Sequence, residues 1–378
     1  MTTTSPRIAV LGAGYTGLTI AHLLARRTAA QVTLVNDRDR FVERMRNHQV
    51  AAGHTVRHLP LRDLLRGSGV RLVVDRVTRL DTTDRRIDLA GGGEPLTYDL
   101  LVYALGSHAD LDAVPGAAEH ACAVAGVEQA ERLRDRMGAA GTVAVVGAGP
   151  TGLETAAELA ETHPGHTVRL ITGGALGREL SERGRDHLRR ALDRLGVQVW
   201  ENATVAKVDA NGVLLEGGRH LAADAVAWTA GFRVSGLAAQ AGLAVDEHGR
   251  MLVDATLRSR SHPEVYGIGD AAAALTRDGH VLRMGCGPGG LAGACAFHAI
   301  TARLAGRDPE PLRVEADALC IGLGARDGIF QPTGLDGTPR GRTLTGRPVA
   351  LIKKAVLRTT GRYNLRHPGV SLLAARQR

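Results

Sequence analysis

At 378 residues with 44% apolar content spread evenly, the chain is long enough for two or three domains with cores of their own, which excludes a disordered or low-complexity protein. No apolar run approaches the length of a membrane span, and "MTTTSPR" leads into the first strand without a signal peptide, so the cytoplasm is the expected location. The net charge of +8 misleads as an average: ten Lys and Arg and no acid follow residue 336, and the first 336 residues carry −2.

The first element is a buried strand, Arg7 to Leu11, running into Gly12, Gly14 and Gly17 at G-x-G-x-x-G spacing. The helix after it keeps Ala21, Leu24 and Ala25 on one face, and a second strand, "QVTLVN", ends at Asn36 beside Asp37. In such a turn the first glycine allows the tight bend, the second lets backbone approach a pyrophosphate, and the third lets helix pack on strand. The phosphate then meets the free N–H groups of the helix N-terminus. "NHQVAAG" (47–53) follows, then short strands around "AGGGEP", then an apolar run ending in Ala104-Leu105-Gly106.

The pattern then repeats. Thr142 to Val146 form a strand, Gly147, Gly149 and Gly152 a second turn, Ala156, Leu159 and Ala160 a helix face, and "TVRLIT" a strand ending at Thr172. Strands around "DANG" follow, and "AVAWTAGF" ends at Gly231 and Phe232. The repeat covers whole domains, which points to two dinucleotides or two parts of one large one. Next come Gly269-Asp270 in "HPEVYGIGDAAA" and a helix expected near "GPGGLAGACAFHA". In "RPVALIKKAVLR", Val349, Ile352 and Val356 are expected to share one helical face, with Lys353, Lys354 and Arg358 elsewhere. Cys122, Cys286, Cys295 and Cys320 have neither C-x-x-C nor metal-ligand spacing; no metal is expected, and the thiols are expected to be free and mostly buried.

Four features in order (Gly12 to Gly17, Ala104-Leu105-Gly106, Gly147 to Gly152, Gly269-Asp270) resemble the pyridine nucleotide-disulfide oxidoreductase superfamily. "VTLVNDRDRFVERMRNHQVAAG", "GAGPTGLETAAELA" and "AVAWTAGF" are similar to its type II NADH dehydrogenase and NAD(P)H:quinone oxidoreductase branch. The resemblance implies an α/β protein with two Rossmann-like domains. An FAD domain would be split between 1–110 and 248–305, an NAD(P)H domain would occupy 111–247, and a small, basic α+β module, 306–378, would cover the flavin. On this resemblance FAD meets Gly12, Gly14, Thr16, Gly17, Asn36, Asp37, Val77, Ala104, Gly106, Gly269, Asp270 and Leu291, with Asp270 on the ribityl chain. NAD(P)H meets Gly147, Gly149, Gly152, Thr172 and Gly231. Glu154 would stand by the nicotinamide, and Gln49 near the flavin ring is preferred to His48.

The resemblance places no cysteine pair beside the flavin, which argues against dithiol chemistry. Where membrane-type quinone reductases carry paired glutamines, the chain has Gly290 and, near the second place, Cys295. The expected acceptor is quinone-like, with a polycyclic biosynthetic intermediate or a small redox protein as alternatives and an NAD(P)H-sensing flavoprotein as the non-enzymatic one. Thr172 is not the acid that bonds a 2′-hydroxyl, and Arg178 lies six residues on, so NADH and NADPH both stay open as donor. A homodimer is left open, and the basic C-terminus, without Trp or Phe to anchor it and without aromatic interleaving, speaks against nucleic-acid binding and disfavours a peripheral membrane attachment.

Overall fold

The computed structural model describes residues 5–359 except 139–140, 277–278 and 315–316, so Arg362, Arg366, Arg376 and Arg378 of the basic tail lie outside the described residues. The chain opens with β1 (Arg7–Leu11), α1 (Tyr15–Arg27), β2 (Gln31–Asn36), the short α2 (Asn47–Ala51), β3 (Arg71–Val74) and β4 (Leu100–Tyr103). It crosses into a second unit with β5 (Ala121–Ala123), α3 (Val127–Arg136), β6 (Gly141–Val146), α4 (Pro150–Thr162), β7 (His166–Ile171), α5 (Glu182–Arg194), β8 (Gln198–Trp200) and β9 (Ala225–Trp228). It returns through β10 (Val265–Gly267) and α6 (Cys286–Leu304), then ends in β11 (Asp317–Gly322), β12 (Gly328–Thr333), β13 (Leu344–Thr345) and α7 (Arg347–Thr359).

Two five-stranded parallel sheets result, ordered β10-β4-β1-β2-β3 and β5-β9-β6-β7-β8. The central strands are buried along Ile8–Leu11 and Val143–Val146, as strands covered on both faces must be. The sheets match position by position except at one edge: the first takes β10 from after the second unit, and the second takes β5 from before its own glycine turn. Between them Ser107–Ala109 pairs antiparallel with Phe232–Val234, so the two crossings lie side by side. Leu237, Ala238 and Leu243 already pack in the first core, so the chain rejoins that core nearer residue 237 than residue 248.

The C-terminal module is an antiparallel sheet, β11-β12-β13, with α7 against it. Its Leu319, Ile321, Leu323 and Ile329 belong to the core of the second unit, as do Val50 and Ala51 of α2 and Ala52 just after it. Thus α2, which belongs to the first unit in sequence, packs on α3 and α4 of the second. These contacts bring the two glycine turns and the C-terminal sheet together.

Candidate functional site

The structure separates the roles of the six glycines. A Cβ on Gly12 (φ +97°) would sit 2.5 Å from the Ala104 carbonyl oxygen, and one on Gly147 (φ +105°) 2.8 Å from the Ala230 nitrogen. A Cβ on Gly17 or Gly152 would collide with the carbonyl oxygen of Gly12 or Gly147. These four are required by the fold itself. A Cβ on Gly14 or Gly149 would meet nothing within 4 Å, so the middle glycines border open space and are not required by the packing of the fold. The turns are braced alike, Gly12 N–H donating to Val35 O and Gly147 N–H to Ile171 O, both at 2.8 Å.

Around the first turn, α1 and α6 begin close together. A side chain at Gly293 would collide with Thr16, and a Cβ at Gly289 would lie 3.3 Å from its hydroxyl, so these small residues let the helices approach. Two helix N-termini, each with free N–H groups, therefore converge at Thr16. Asp270 sits beside them, its carboxylate accepting from Ser107 Oγ at 2.7 Å and from Gly285 N–H at 2.9 Å. Arg44 lies 3.9 Å from that carboxylate, donates to Ser107 O at 2.6 Å and stacks over Phe232. Burial lowers its pKa and Asp270 opposes the shift.

The second turn opens on a cleft of about 360 Å³ walled by Gly147, Gly149, Thr172, Arg178, Leu319 and Ile321 among others. The last two come from β11, so the C-terminal sheet forms one side of the cleft. Beneath that sheet Glu154 is 7% exposed. Its Oε1 accepts from Gly322 N–H at 2.9 Å and pairs with Lys353 Nζ at 2.7 Å, while Oε2 faces His48 Nδ1 at 3.8 Å. Lys353 also donates to Cys320 O at 2.9 Å. Burial pulls the Lys353 ammonium toward a lower pKa, but the Glu154 carboxylate outweighs it and raises it above its ordinary value. His48 is held below the usual histidine range by burial, with Glu154 opposing and Lys353, Arg46 and His54 adding to the shift. One turn along α4, Glu158 pairs with the half-exposed His54 at 2.8 Å, and burial raises its carboxyl above the ordinary range.

Two expectations are corrected. The buried row of α7 is not Val349, Ile352 and Val356: Lys353 enters the site with Val349 and Leu357 flanking it on the buried side, while Ile352 and Val356 are 44% and 42% exposed. The second concerns the thiols: only Cys122 is buried, Cys295 and Cys320 are intermediate, and Cys286 is exposed as the first residue of α6. Of the two neighbours on α2, His48 faces Glu154, and Gln49 Oε1 accepts from Arg46 Nε at 2.8 Å.

The other sequence-derived positions fall as follows. Asn36 uses its amide on backbone, accepting from Ala13 N–H and donating to Arg38 O, and Asp37 pairs with Arg38. Val77 opens a small antiparallel strand packed on the first core, and Ala104 forms the wall behind Gly12. Gly106 (φ +66°) and Gly269 (φ +68°) place Ser107 and Asp270 side by side. Gly231 (φ +73°) turns the chain beside Asp110, and Leu291 is half-buried on α6. At Gly290 a Cβ would meet open space, and Cys295 packs on the first core. Arg44, Ser107 and Lys353 were not anticipated. For Lys353 the signal existed, because Val349, Lys353 and Leu357 stand four apart on one helical row.

The chain matches the pyridine nucleotide-disulphide oxidoreductase family over residues 7–58 and 63–285. It is 32% identical over 381 residues to an NADH dehydrogenase-like protein of Mycobacterium tuberculosis, covering 93% of this chain and 92% of the relative. It is 27% identical to the demethylphylloquinone reductase of Synechocystis, covering 89% of each. The fold is similar to that of the sulfide:quinone oxidoreductase of Aquifex aeolicus, with a TM-score of 0.82 at 15% identity, over 96% of this chain and 92% of that one. Members of the family, with type II NADH dehydrogenases among them, use FAD and NADH. The chain belongs to the pyridine nucleotide-disulphide oxidoreductase family.

Proposed function

We propose that the chain is an FAD-containing NAD(P)H dehydrogenase that delivers electrons to a quinone-like acceptor. The observation that carries this reading is the pair of open middle glycines, Gly14 and Gly149, on separate but matching sheets, with the C-terminal sheet closing over the second. The first site fits FAD: two helix N-termini and the Arg44 guanidinium suit a pyrophosphate, and the Asp270 carboxylate suits a sugar-alcohol hydroxyl. When bound, FAD supplies the two-electron carrier between donor and acceptor. The chain's own groups bind and orient. Gly12 to Gly17 and Asp270 hold the flavin nucleotide, and Gly147 to Gly152 with Thr172 hold the donor.

Reducing a quinone with a hydride donor consumes one further proton from solvent. Glu154 Oε2 is the carboxylate oxygen left free by Lys353 and Gly322, and it is the atom we assign to hold that proton beside His48 Nδ1. Glu158, one turn along α4, pairs with the half-exposed His54. The names of the curated relatives support a quinone; Gly290 and Cys295, small where a headgroup would be gripped, support one without a long tail.

The test is anaerobic reduction of the yellow holoprotein by NADH, then reoxidation by a tailed and an untailed quinone of one headgroup. Fast reduction with faster turnover of the untailed quinone is expected. Preference for the tailed quinone, together with salt-resistant sedimentation on liposomes, overturns the short-acceptor reading. Reduced flavin that persists with every quinone and dye overturns the enzyme in favour of a sensor.

A further inference from the structure

The donor cleft has an unusual charge pattern where a nucleotide's adenosine ribose would lie. In a glycine-turn unit an acid about 20 residues beyond the last glycine bonds the ribose 2′-hydroxyl and repels a 2′-phosphate, whereas a nearby arginine accepts the phosphate. At that place Thr172 directly follows β7, and its hydroxyl accepts a long bond, 3.4 Å, from Gly174 N–H. The nearby acid Glu201 is not among the residues lining the cleft. It accepts from Leu176 N–H at 2.6 Å and from Arg189 Nη1 and Nη2 at 2.7 and 2.9 Å, which hold its carboxyl below the usual range. Its charge is committed to Arg189.

The cleft lining does carry Arg178, exposed and without an ion-pair partner among the described residues. Gly177 (φ +66°) turns the chain just before it. Glu179 stands next to it on the same lining, so the cleft presents one arginine and one acid to the nucleotide.

From these residues we infer that the cleft accepts NADPH, with the Arg178 guanidinium pairing the 2′-phosphate, and uses it at least as well as NADH. This rests on the dehydrogenase reading above. The 2′-phosphate takes no part in the chemistry: NADPH, like NADH, gives up one hydride, two electrons with one hydrogen nucleus, and leaves as NADP⁺. The difference between donors is therefore one of binding. A planar guanidinium engages phosphate through two parallel hydrogen bonds, an attraction strong enough to shift selectivity even at an exposed site.

Stopped-flow reduction of the anaerobic holoprotein by NADPH and by NADH measures the two apparent affinities. We expect NADPH to be equal or better at low salt and to lose its advantage as salt rises. Arg178→Ala should shift the NADPH-to-NADH preference about tenfold toward NADH. Thr172→Glu, which restores the missing acid, should shift it further in that direction, and Glu179→Gln should shift it toward NADPH. A native preference for NADH at low salt, or an Arg178→Ala variant with unchanged preference, overturns the inference and leaves the dehydrogenase reading standing. Flavin that neither nucleotide reduces overturns the dehydrogenase reading itself.

Discussion

Replacing Lys353 by methionine removes one member of a buried ion pair and keeps most of the side-chain volume. The Glu154 and Lys353 side chains are 9% and 18% exposed, and their 2.7 Å contact is joined by one backbone N–H, from Gly322. Removing one partner of such a pair leaves an uncompensated charge and costs about 3–5 kcal/mol. Because Glu154 keeps the Gly322 bond and His48 nearby, the lower end, about 3 kcal/mol, is expected. Urea unfolding of the holoprotein, with midpoints compared at a common slope, measures it. The double variant Lys353→Met/Glu154→Gln should recover most of the loss, since the charge is then gone with its partner.

The same pair sets a pH dependence. In the native protein His48 is held below its unfolded value, so its contribution is complete above about pH 6.5 and is lost as pH falls below that. In Lys353→Met one cationic neighbour disappears and Glu154 is unpaired, so the folded His48 binds a proton more readily. The deficit of the variant should shrink as pH is lowered from 8 to 5.5. A loss below about 1 kcal/mol, strict additivity of the two substitutions, or a deficit independent of pH would refute the argument.

The glycines give a sharper pair of outcomes. Gly14→Ala and Gly149→Ala should fold normally, because their Cβ atoms meet open space, yet the first should lose FAD and the second should keep FAD but be reduced slowly; reversed phenotypes would exchange the two sites. Gly17→Ala and Gly152→Ala should be destabilised or insoluble through collision with the preceding carbonyl, as thermal unfolding of the variants will reveal. Ser107→Ala removes the 2.7 Å bond to Asp270 and should weaken FAD retention several-fold during gel filtration, without changing the far-UV spectrum.

Much of the architecture is legible in the residues because it is local. Each glycine turn lies within one strand–turn–helix segment, so spacing alone identifies it, and Gly269-Asp270 gains its meaning from its order in the chain. Long-range pairing is not legible: nothing in "ACA" or "VYG" marks β5 and β10 as edge strands added to sheets from opposite directions along the chain. The five residues of α2 are too few to show a period, so the contact of His48 with Glu154 becomes visible only once the helix is packed on α3 and α4. Lys353 was misplaced for another reason. A lysine counts as polar in any helical pattern, and only the acid beneath the C-terminal sheet makes its burial favourable.

That acid is one of three. Glu154, Glu158 and Glu161 lie along α4 four and three residues apart, a spacing that puts them on one face, and the first two are buried. Burying carboxylates opposes folding unless each is met by a partner. Two of the three acids are met from the C-terminal module: Glu154 by Gly322 N–H and Lys353, and Glu161 by Ala325 N–H. Glu158 is served from outside the module, by His54. The module therefore supplies partners to an acidic face of the second unit, besides walling the cleft with Leu319 and Ile321. Ending the chain after Gly346 deletes Val349, which is 0% exposed, and Lys353 together, stripping one strand face and one carboxylate at once. Such a truncation should lower the unfolding temperature and the yield of folded protein before it alters any partition between solution and liposomes. A truncated protein of native stability that merely loses liposome binding would mean that α7 serves as a surface anchor and that the acids of α4 find their partners without it.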